Sequence, residues 1–237
     1  MHSRKLIETT STMAKDAPPR RIRLVKLAHV HYTHVDIDVA HQFLLDFGLR
    51  EVERRNGTIF YGGYGSDPFV YCASKGDKTA FAGAAFVVES LDDLDLASRT
   101  LPHATAVHDI DAPGEGKQVT FCDPVDGFPF HLVHGQRLAE ASTDYPELPF
   151  NFPQNKHRPV STFKRLQHGP APVYKLGHFG CCVTDFARTF DFYTTHFNFK
   201  PSDIVQEKGT DTATFLHLDR GAEQVDHHSF FFFEGES

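Results

Sequence analysis

Two histidines hold the same place in a short motif that the chain contains twice. The motif KLAHV at residues 26–30 returns as KLGHF at residues 175–179, so that His29 corresponds to His178. Imidazole titrates near neutral pH and is a common ligand of divalent metals. A histidine at a repeated position is therefore a candidate metal ligand or acid–base group, and a repeated motif indicates a fold built by duplication.

Composition limits the classes of protein to which this chain can belong. Its 237 residues, 40% hydrophobic and 23% charged, are typical of a soluble globular protein with a sizeable core. The net charge of −7 argues against nucleic acid or an anionic membrane as the main partner. The chain has 23 Phe and no Trp, which predicts aromatic-lined cores or pockets, and its 16 His must be sorted by position.

Other global features favour a cytoplasmic protein. The four cysteines have no CxxC spacing, and Cys181 and Cys182 are adjacent, so we interpret them as reduced thiols. Residues 1–21 have mixed charge and no apolar segment, which excludes a signal peptide and predicts a mobile tail over residues 1–23. No apolar run is long enough to span a membrane.

Each copy of the motif opens a predicted strand–helix–strand unit, and a third such unit lies between the copies. Hydrophobic periodicity, acidic or serine helix starts and glycine turns define these units. The first has a strand at 24–33, a helix from Asp36 or Asp38 to about Phe47, and strands at 50–56, 58–64 and 68–74. The second has a strand at 80–88, a helix from Ser90 to about Thr100, and a hairpin of 117–122 and 128–134. The third begins with a strand at Val173 and continues with a helix from Asp185 to about Phe197 and strands near Ile204, Phe215 and Phe230.

These units predict an α+β fold of repeated βαβββ modules, with one paired domain and one half domain. We divide the chain into the tail 1–23, a paired-module domain 24–135, a linker 136–172 and a third module 173–237. The run of four phenylalanines at 230–233 is apolar on both faces of a strand and needs cover. We therefore expect either a missing last module or a second chain, and predict a homo-oligomer formed through the third module.

Several motifs together resemble the vicinal oxygen chelate superfamily, which includes glyoxalase and bleomycin resistance proteins, and within it the type I extradiol ring-cleaving dioxygenases. They are the motif at 175–180, the helix segment 190–193 ahead of 197–199, the run 215–220 leading into 226–230, and the turn 123–129. The resemblance spans residues 24–234. It implies four modules in two domains, of which this sequence shows three.

The resemblance implies an oxidoreductase that opens a catechol-like or polyhydroxylated aromatic ring with O₂ at a non-haem Fe(II) or Mn(II). Such an ion is held by two histidines and one carboxylate. His178 maps onto the first metal ligand, and His227 onto the acid–base histidine. The ring of the adjacent His228 must then face the opposite side of the strand, so His228 is the alternative if the strand register slips by one. The remaining ligands belong to the module with no counterpart here, so we expect weak or absent metal binding by this chain.

The first domain gives a weaker metal prediction. His29 and His131 fill two of three ligand positions, whereas residues 83–85 offer no donor, so a vestigial site is only a minor alternative. The other histidines without a spacing pattern are expected to be polar surface residues: His31, His34, His41, His103, His108 and His196.

Two alternative functions are also compatible with the sequence. One is a metal-free relative that binds an aromatic ligand or is inactive, which predicts far less than one metal ion per chain. The other is a metal-dependent isomerase or lyase of the same superfamily, which predicts turnover without consumption of O₂.

Overall fold

A computed structural model describes residues 20–146, 151–157, 161 and 168–235. Residues 1–19, which make up most of the predicted tail, lie outside these ranges, as do parts of the predicted linker. No described helix is long and apolar enough to cross a membrane.

The first module has the predicted order of elements. It consists of β1 (Leu24–His34), α1 (Ile37–Phe47), β2 (Arg50–Arg55), β3 (Thr58–Gly62) and β4 (Tyr71–Lys75). Asp36 is the N-cap of α1, because its carboxylate accepts hydrogen bonds from the backbone N–H groups of Asp38 and Val39. The strands lie in the order β2-β3-β4-β1, with β1 parallel to β4, so the helix connects β1 to the far edge of the module.

The second module repeats this arrangement. It consists of β5 (Ala80–Val88), α2 (Leu91–Thr100), β6 (His108–Asp109), β7 (Lys117–Cys122) and β8 (Pro129–His134). The two-residue strand β6 was not predicted, because it is too short to show alternation. The β7–β8 turn is held by the buried carboxylate of Asp123, which accepts from the backbone N–H groups of Val125, Asp126 and Phe128.

Antiparallel pairing of β1 with β5 joins the first two modules into one eight-stranded sheet, in the order β2-β3-β4-β1-β5-β8-β7-β6. Val30 lies opposite Ala84 in this pairing. These residues hold the same place in their modules, since Val30 pairs with Tyr71 in β4 and Ala84 with Phe130 in β8. The two modules are therefore related by an approximate twofold axis through this residue pair.

The third module has the same strand order without a paired neighbour. It consists of β9 (Phe179–Val183), α3 (Phe186–His196), β10 (Phe199–Glu207), β11 (Thr210–Leu218) and β12 (Phe230–Glu234). The order is β10-β11-β12-β9, and among the described residues β9 pairs only with β12. The predicted α+β fold of βαβββ modules, with one pair and one half pair, is confirmed.

The first strand of the third module was predicted to begin too early. We expected it from Val173, but β9 begins at Phe179. The carbonyl groups of Val173 and Tyr174 instead accept hydrogen bonds from the backbone N–H groups of Tyr64 and Gly65. His178 consequently lies one residue before β9, whereas His29 lies inside β1.

The third module packs its helix side against the first two modules. Phe230 and Phe232 of β12 are fully buried there, and Phe179 contacts Phe86 and Phe130 with ring centroids 5.8 Å apart in each pair. One continuous hydrophobic core therefore joins the third module to the eight-stranded sheet.

A buried amide also ties β1 to the third module. The Asn198 carboxamide accepts from the Leu24 backbone N–H (2.7 Å) and donates to the carbonyl groups of Leu24 (3.0 Å) and Asp219 (3.0 Å). No water can replace these bonds easily, since Asn198 is 6% exposed and Leu24 is fully buried.

We predict that Asn198→Leu destabilises the protein by about 2–4 kcal/mol, because buried backbone groups would lose their partners. Urea unfolding measures this loss. The exposed Asn155 provides a matched control, and Asn155→Leu should leave the unfolding midpoint unchanged. Equal midpoints for the two variants would contradict the structural role of the amide.

Candidate functional site

The third module exposes the sheet face that lies opposite its helix. One row across this face contains Gly180, Phe231, Phe215 and Asp203, which are register partners on β9, β12, β11 and β10. The next row contains Cys182, Phe233, Ala213 and Val205. We call these eight residues the module-three cup face.

The cup face has an aromatic centre. Phe215 and Phe231 stack with their ring centroids 5.5 Å apart, and Phe233 is 46% exposed. The Phe231 ring also lies across Gly180, where a Cβ atom would overlap it. Glycine at position 180 thus allows the ring to fold over β9, and the face offers a flat apolar wall that a planar ligand could contact.

The two site residues predicted from the sequence lie in one histidine cluster at the edge of this face. The His178 ring centroid is 4.3 Å from that of His228. His228 Nδ1 lies 3.1 Å from Nδ1 of His227, and His227 Nε2 lies 3.0 Å from Asp203 Oδ2. His178 and His227 are therefore connected through His228, which the sequence offered only as an alternative.

The contacts of this cluster restrict its protonation states. When His227 is neutral and donates its Nε2–H to Asp203, its Nδ1 is an acceptor, so His228 must donate from Nδ1. His228 Nε2 then carries a free lone pair. When His228 Nε2 takes up a proton, the proton on His228 Nδ1 passes to Nδ1 of His227, so that His227 becomes the charged ring beside Asp203 and His228 is again neutral. The chain Asp203–His227–His228 can therefore move a proton between two defined atoms.

We expected the His227 and His228 rings to face opposite sides of a strand, and this was wrong. Both residues precede β12, in a segment without strand alternation, and both rings contact Phe215, with centroids 6.5 and 5.1 Å away. A signal for this was present in the sequence, because Asp226 and Ser229 flank the pair with polar residues rather than strand formers.

Burial lowers the pKa of His228, and the neighbouring His178 and His227 lower it further. The ring is therefore neutral near pH 7, in the form that can accept a proton. This is the state that an acid–base group in this position requires.

The described residues provide only part of the expected metal site. His178 has the donor type of the predicted first ligand, but within the described ranges no three His, Cys, Asp or Glu side chains are grouped so that they could hold a metal ion. The nearby Asp226 carboxylate forms an ion pair with Lys175. The donor set does not fit a complete two-histidine, one-carboxylate site, and no chemical step can be derived through a metal from these residues.

The histidines of the first domain do not form a metal site either. His29, Ala85 and His131 share one row of the sheet, but His131 uses both ring nitrogens. Its Nδ1 accepts from the Thr120 hydroxyl (2.8 Å), and its Nε2–H donates to the Ala82 carbonyl (3.2 Å). The ring also lies over Gly83, at the position where a third ligand was missing.

The expectation that the remaining histidines are surface residues is only partly correct. His103 and His108 are exposed, whereas His31, His34, His41 and His196 are half-buried. His31 and His34 are hydrogen-bonded to Ser74 and Tyr71 from the neighbouring strand β4. These hydrogen bonds depend on the pairing of β1 with β4, and no pattern in the local sequence predicts them.

Comparison with known proteins supports the fold. Residues 175–235 match the model of the Glyoxalase/Bleomycin resistance protein/Dioxygenase superfamily. This match covers the third module and not the paired domain. Among curated proteins, no sequence matches the chain.

Solved structures show the same fold at low sequence identity. Homoprotocatechuate 2,3-dioxygenase from Brevibacterium fuscum, in its complex with 3,4-dihydroxyphenylacetate, has a TM-score of 0.71 at 17% identity, over 94% of this chain and 63% of that one. A variant of the same enzyme has a TM-score of 0.69 at 18% identity, over 94% and 56%. The Mn(II)-bound glyoxalase from Novosphingobium aromaticivorans has a TM-score of 0.66 at 19% identity, over 90% and 63%. The chain thus spans about 56–63% of the length of these structures.

We predict that His131 makes stability fall in mild acid. Burial lowers its pKa to about 4 from the ordinary 6.5, so the unfolded chain takes up a proton first as the pH falls below 6.5. This costs up to about 3 kcal/mol by pH 4 and nothing above pH 6.5. In urea unfolding at pH 7.5 and pH 5, His131→Asn should flatten the pH dependence, and the exposed His168→Asn should not. Parallel pH curves for the native chain and His131→Asn would refute this.

Proposed function

We propose that the module-three cup face and its histidine cluster are one wall of an extradiol-type dioxygenase site. The supporting observation is that His178, His228, His227 and Asp203 form a connected series at the edge of an aromatic face. The similarity in fold to ring-cleaving dioxygenases agrees with the proposal, but at such low sequence identity it assigns no role to individual residues. The proposed substrate is a catechol-like ring, used together with O₂.

The residues of this chain have separate roles in the proposal. Phe215, Phe231 and Phe233 contact the plane of the substrate ring and exclude water from it. His228, or His227 through it, takes the proton of a ring hydroxyl, and Asp203 orients His227 and stabilises its charged form. His178 would be the first ligand of an Fe(II) or Mn(II) ion whose other ligands must come from outside the described residues, and such an ion would supply activation of the ring hydroxyls and of O₂.

We further propose that a second copy of the chain completes this site. Phe179 pairs with Phe230, as Val30 pairs with Tyr71, so Phe179 corresponds to the residue at the centre of the β1–β5 pairing. In the proposed dimer, the β9 strands of the two chains pair antiparallel, as β1 and β5 do within the chain. Phe179 then lies opposite the partner's Phe179, and His178 lies opposite the partner's Gly180. Two His178 imidazoles would then share one closed cup. We also propose that the chain is divided into a paired domain (24–135), a linker (136–172) and a third module (173–237).

The activity is tested with the 237-residue chain loaded anaerobically with Fe(II) and then mixed with a panel of catechols under air. We expect uptake of O₂ and a yellow ring-fission product. His178→Ala should lose both iron and activity, and His227→Asn should keep the iron and slow turnover by roughly 10²-fold. The exposed His168→Asn is the matched control.

The other outcomes of this assay separate the alternatives. Iron-loaded chain that neither consumes O₂ nor forms product would refute the dioxygenase proposal. Turnover of a substrate without O₂ uptake would favour an isomerase or lyase. Aromatic binding with far less than one metal ion per chain would favour the metal-free alternative.

Pairing through the third module predicts a dimer in analytical ultracentrifugation. Phe231→Ser with Phe233→Ser should shift the chain toward monomer, because burial of two Phe side chains is worth roughly 3–6 kcal/mol. Phe43, which is 65% exposed on α1, provides the control, and Phe43→Ser should leave the dimer intact. A stable monomer of the unmodified chain would show this proposal to be wrong.

A further inference from the structure

Two neighbouring residues of β10 contact the same histidine of the cluster. The Ser202 hydroxyl lies 2.5 Å from the backbone carbonyl oxygen of His227, and the Asp203 carboxylate lies 3.0 Å from Nε2 of the same histidine. In a regular strand, adjacent side chains point to opposite faces of the sheet. Contact of both side chains with one residue therefore requires an irregularity in β10.

That irregularity is a β-bulge. The register of β10 with β11 skips Ser202 and places Asp203 opposite Phe215 on the cup face. A bulge sets two residues of one strand against one residue of its neighbour and redirects a side chain. Without the extra residue, Asp203 would lie opposite Thr214, which is fully buried on the helix side of the sheet, and its carboxylate could not contact His227.

A third side chain, His217, fixes the direction of these hydrogen bonds. It lies two residues after Phe215 on β11, on the same face of the sheet, and its Nδ1 is 2.8 Å from the Ser202 hydroxyl. A carbonyl oxygen can only accept, so the Ser202 hydroxyl donates its single proton to His227. Nδ1 of His217 must then donate to Ser202. The two hydrogen bonds therefore require that His217 carries a proton on Nδ1.

The segment that contains His227 lies outside the strands. It connects β11, which ends at Leu218, with β12, which begins at Phe230, so strand pairing does not fix the position of His227. Ser202 holds the backbone of this histidine, and Asp203 holds its ring. The bulge thus anchors the histidine at two points.

We propose that Ser202 and His217 are positioning residues of the candidate site, and that they and Asp203 hold His227 at the distance from which it exchanges a proton with His228. This proposal rests on the proposed acid–base role of the His227–His228 pair. Ser202 and His217 act through His227 and have no contact with the substrate ring in this proposal.

The ¹⁵N chemical shifts of the imidazoles test the direction of the hydrogen bonds without any substitution. The measurement uses the metal-free 237-residue chain at pH 8, where a free imidazole is neutral. We expect His217 to carry its proton on Nδ1, although a neutral histidine in water prefers Nε2. A proton on Nε2 of His217 would overturn the proposal, because Ser202 would then have no donor on that side.

Two variants of Ser202 test the positioning itself. Ser202→Ala removes the hydroxyl and should shift the ¹⁵N resonances of the His227 ring, whereas Ser202→Thr keeps a hydroxyl and should leave them near their native values. Thr212→Ala is the matched control, since the Thr212 hydroxyl lies in the same hairpin and faces the Val205 carbonyl oxygen at 3.5 Å. Unchanged His227 resonances in Ser202→Ala would overturn the proposal, as would equal shifts in the alanine and threonine variants.

A second pair of variants makes the same comparison from the other side of the hydroxyl. His217→Asn keeps an N–H donor, and His217→Phe removes it, so only the phenylalanine variant should shift the His227 resonances. This pair decides the question if Ser202→Ala does not fold, as checked by urea unfolding. Equal His227 resonances in the two His217 variants would count against the proposal.

Turnover by the iron-loaded chain provides an independent measurement. Ser202→Ala should lower kcat roughly tenfold, as expected for the loss of one hydrogen bond, and leave KM unchanged because the aromatic face is intact. Ser202→Thr should recover kcat. A native kcat in Ser202→Ala would overturn the proposal. A native chain without turnover would refute the dioxygenase proposal alone, since the resonances of His217 and His227 still decide the positioning.

Discussion

A βαβββ module has a sheet with two faces, and its own helix covers only one of them. The structure depends on how the other face is covered. In the first two modules, antiparallel pairing of β1 with β5 curls two sheets into one and makes a shared cup. In the third module the same edge, β9, pairs only with β12 among the described residues, and the cup face keeps an exposed Phe233. The same repeated unit therefore forms a closed cup where two modules pair, as in modules one and two, and an open face where the structure describes no such partner for the first strand, as in module three.

This difference in pairing decides what equivalent residues can do. His29 and His178 occupy the same position in the repeat. His29 lies inside β1, is buried by β5 and Phe69, and is kept neutral by that burial. His178 lies just before β9, beside His228 and at the edge of an open face. The same imidazole is thus a buried, neutral group in the first domain and a member of a histidine cluster at the edge of an open face in the third module.

The two halves are held together on the opposite side of their sheets. Phe179, Phe230 and Phe232 pack into a core shared with the first domain, and Asn198 satisfies both backbone groups of Leu24. The hydrophobic contacts bury the junction, and the amide fixes its position, because a shifted module would leave buried polar groups unpaired. The high number of phenylalanines follows from this arrangement, since helix-side and cup-side faces both use aromatic rings.

The sequence by itself determined the modules: hydrophobic periodicity, the caps Asp36, Ser90 and Asp185, and the repeated motif predicted nearly every helix and strand, because these signals are local. Only the tertiary structure decided that β9 begins at Phe179, that His227 and His228 lie on one side, and that His131 covers Gly83. It alone also showed the role of Asn198 and the unpaired nitrogen of His29. Each of these depends on contacts between residues far apart in the chain, which strand pairing and burial create and which no local pattern records.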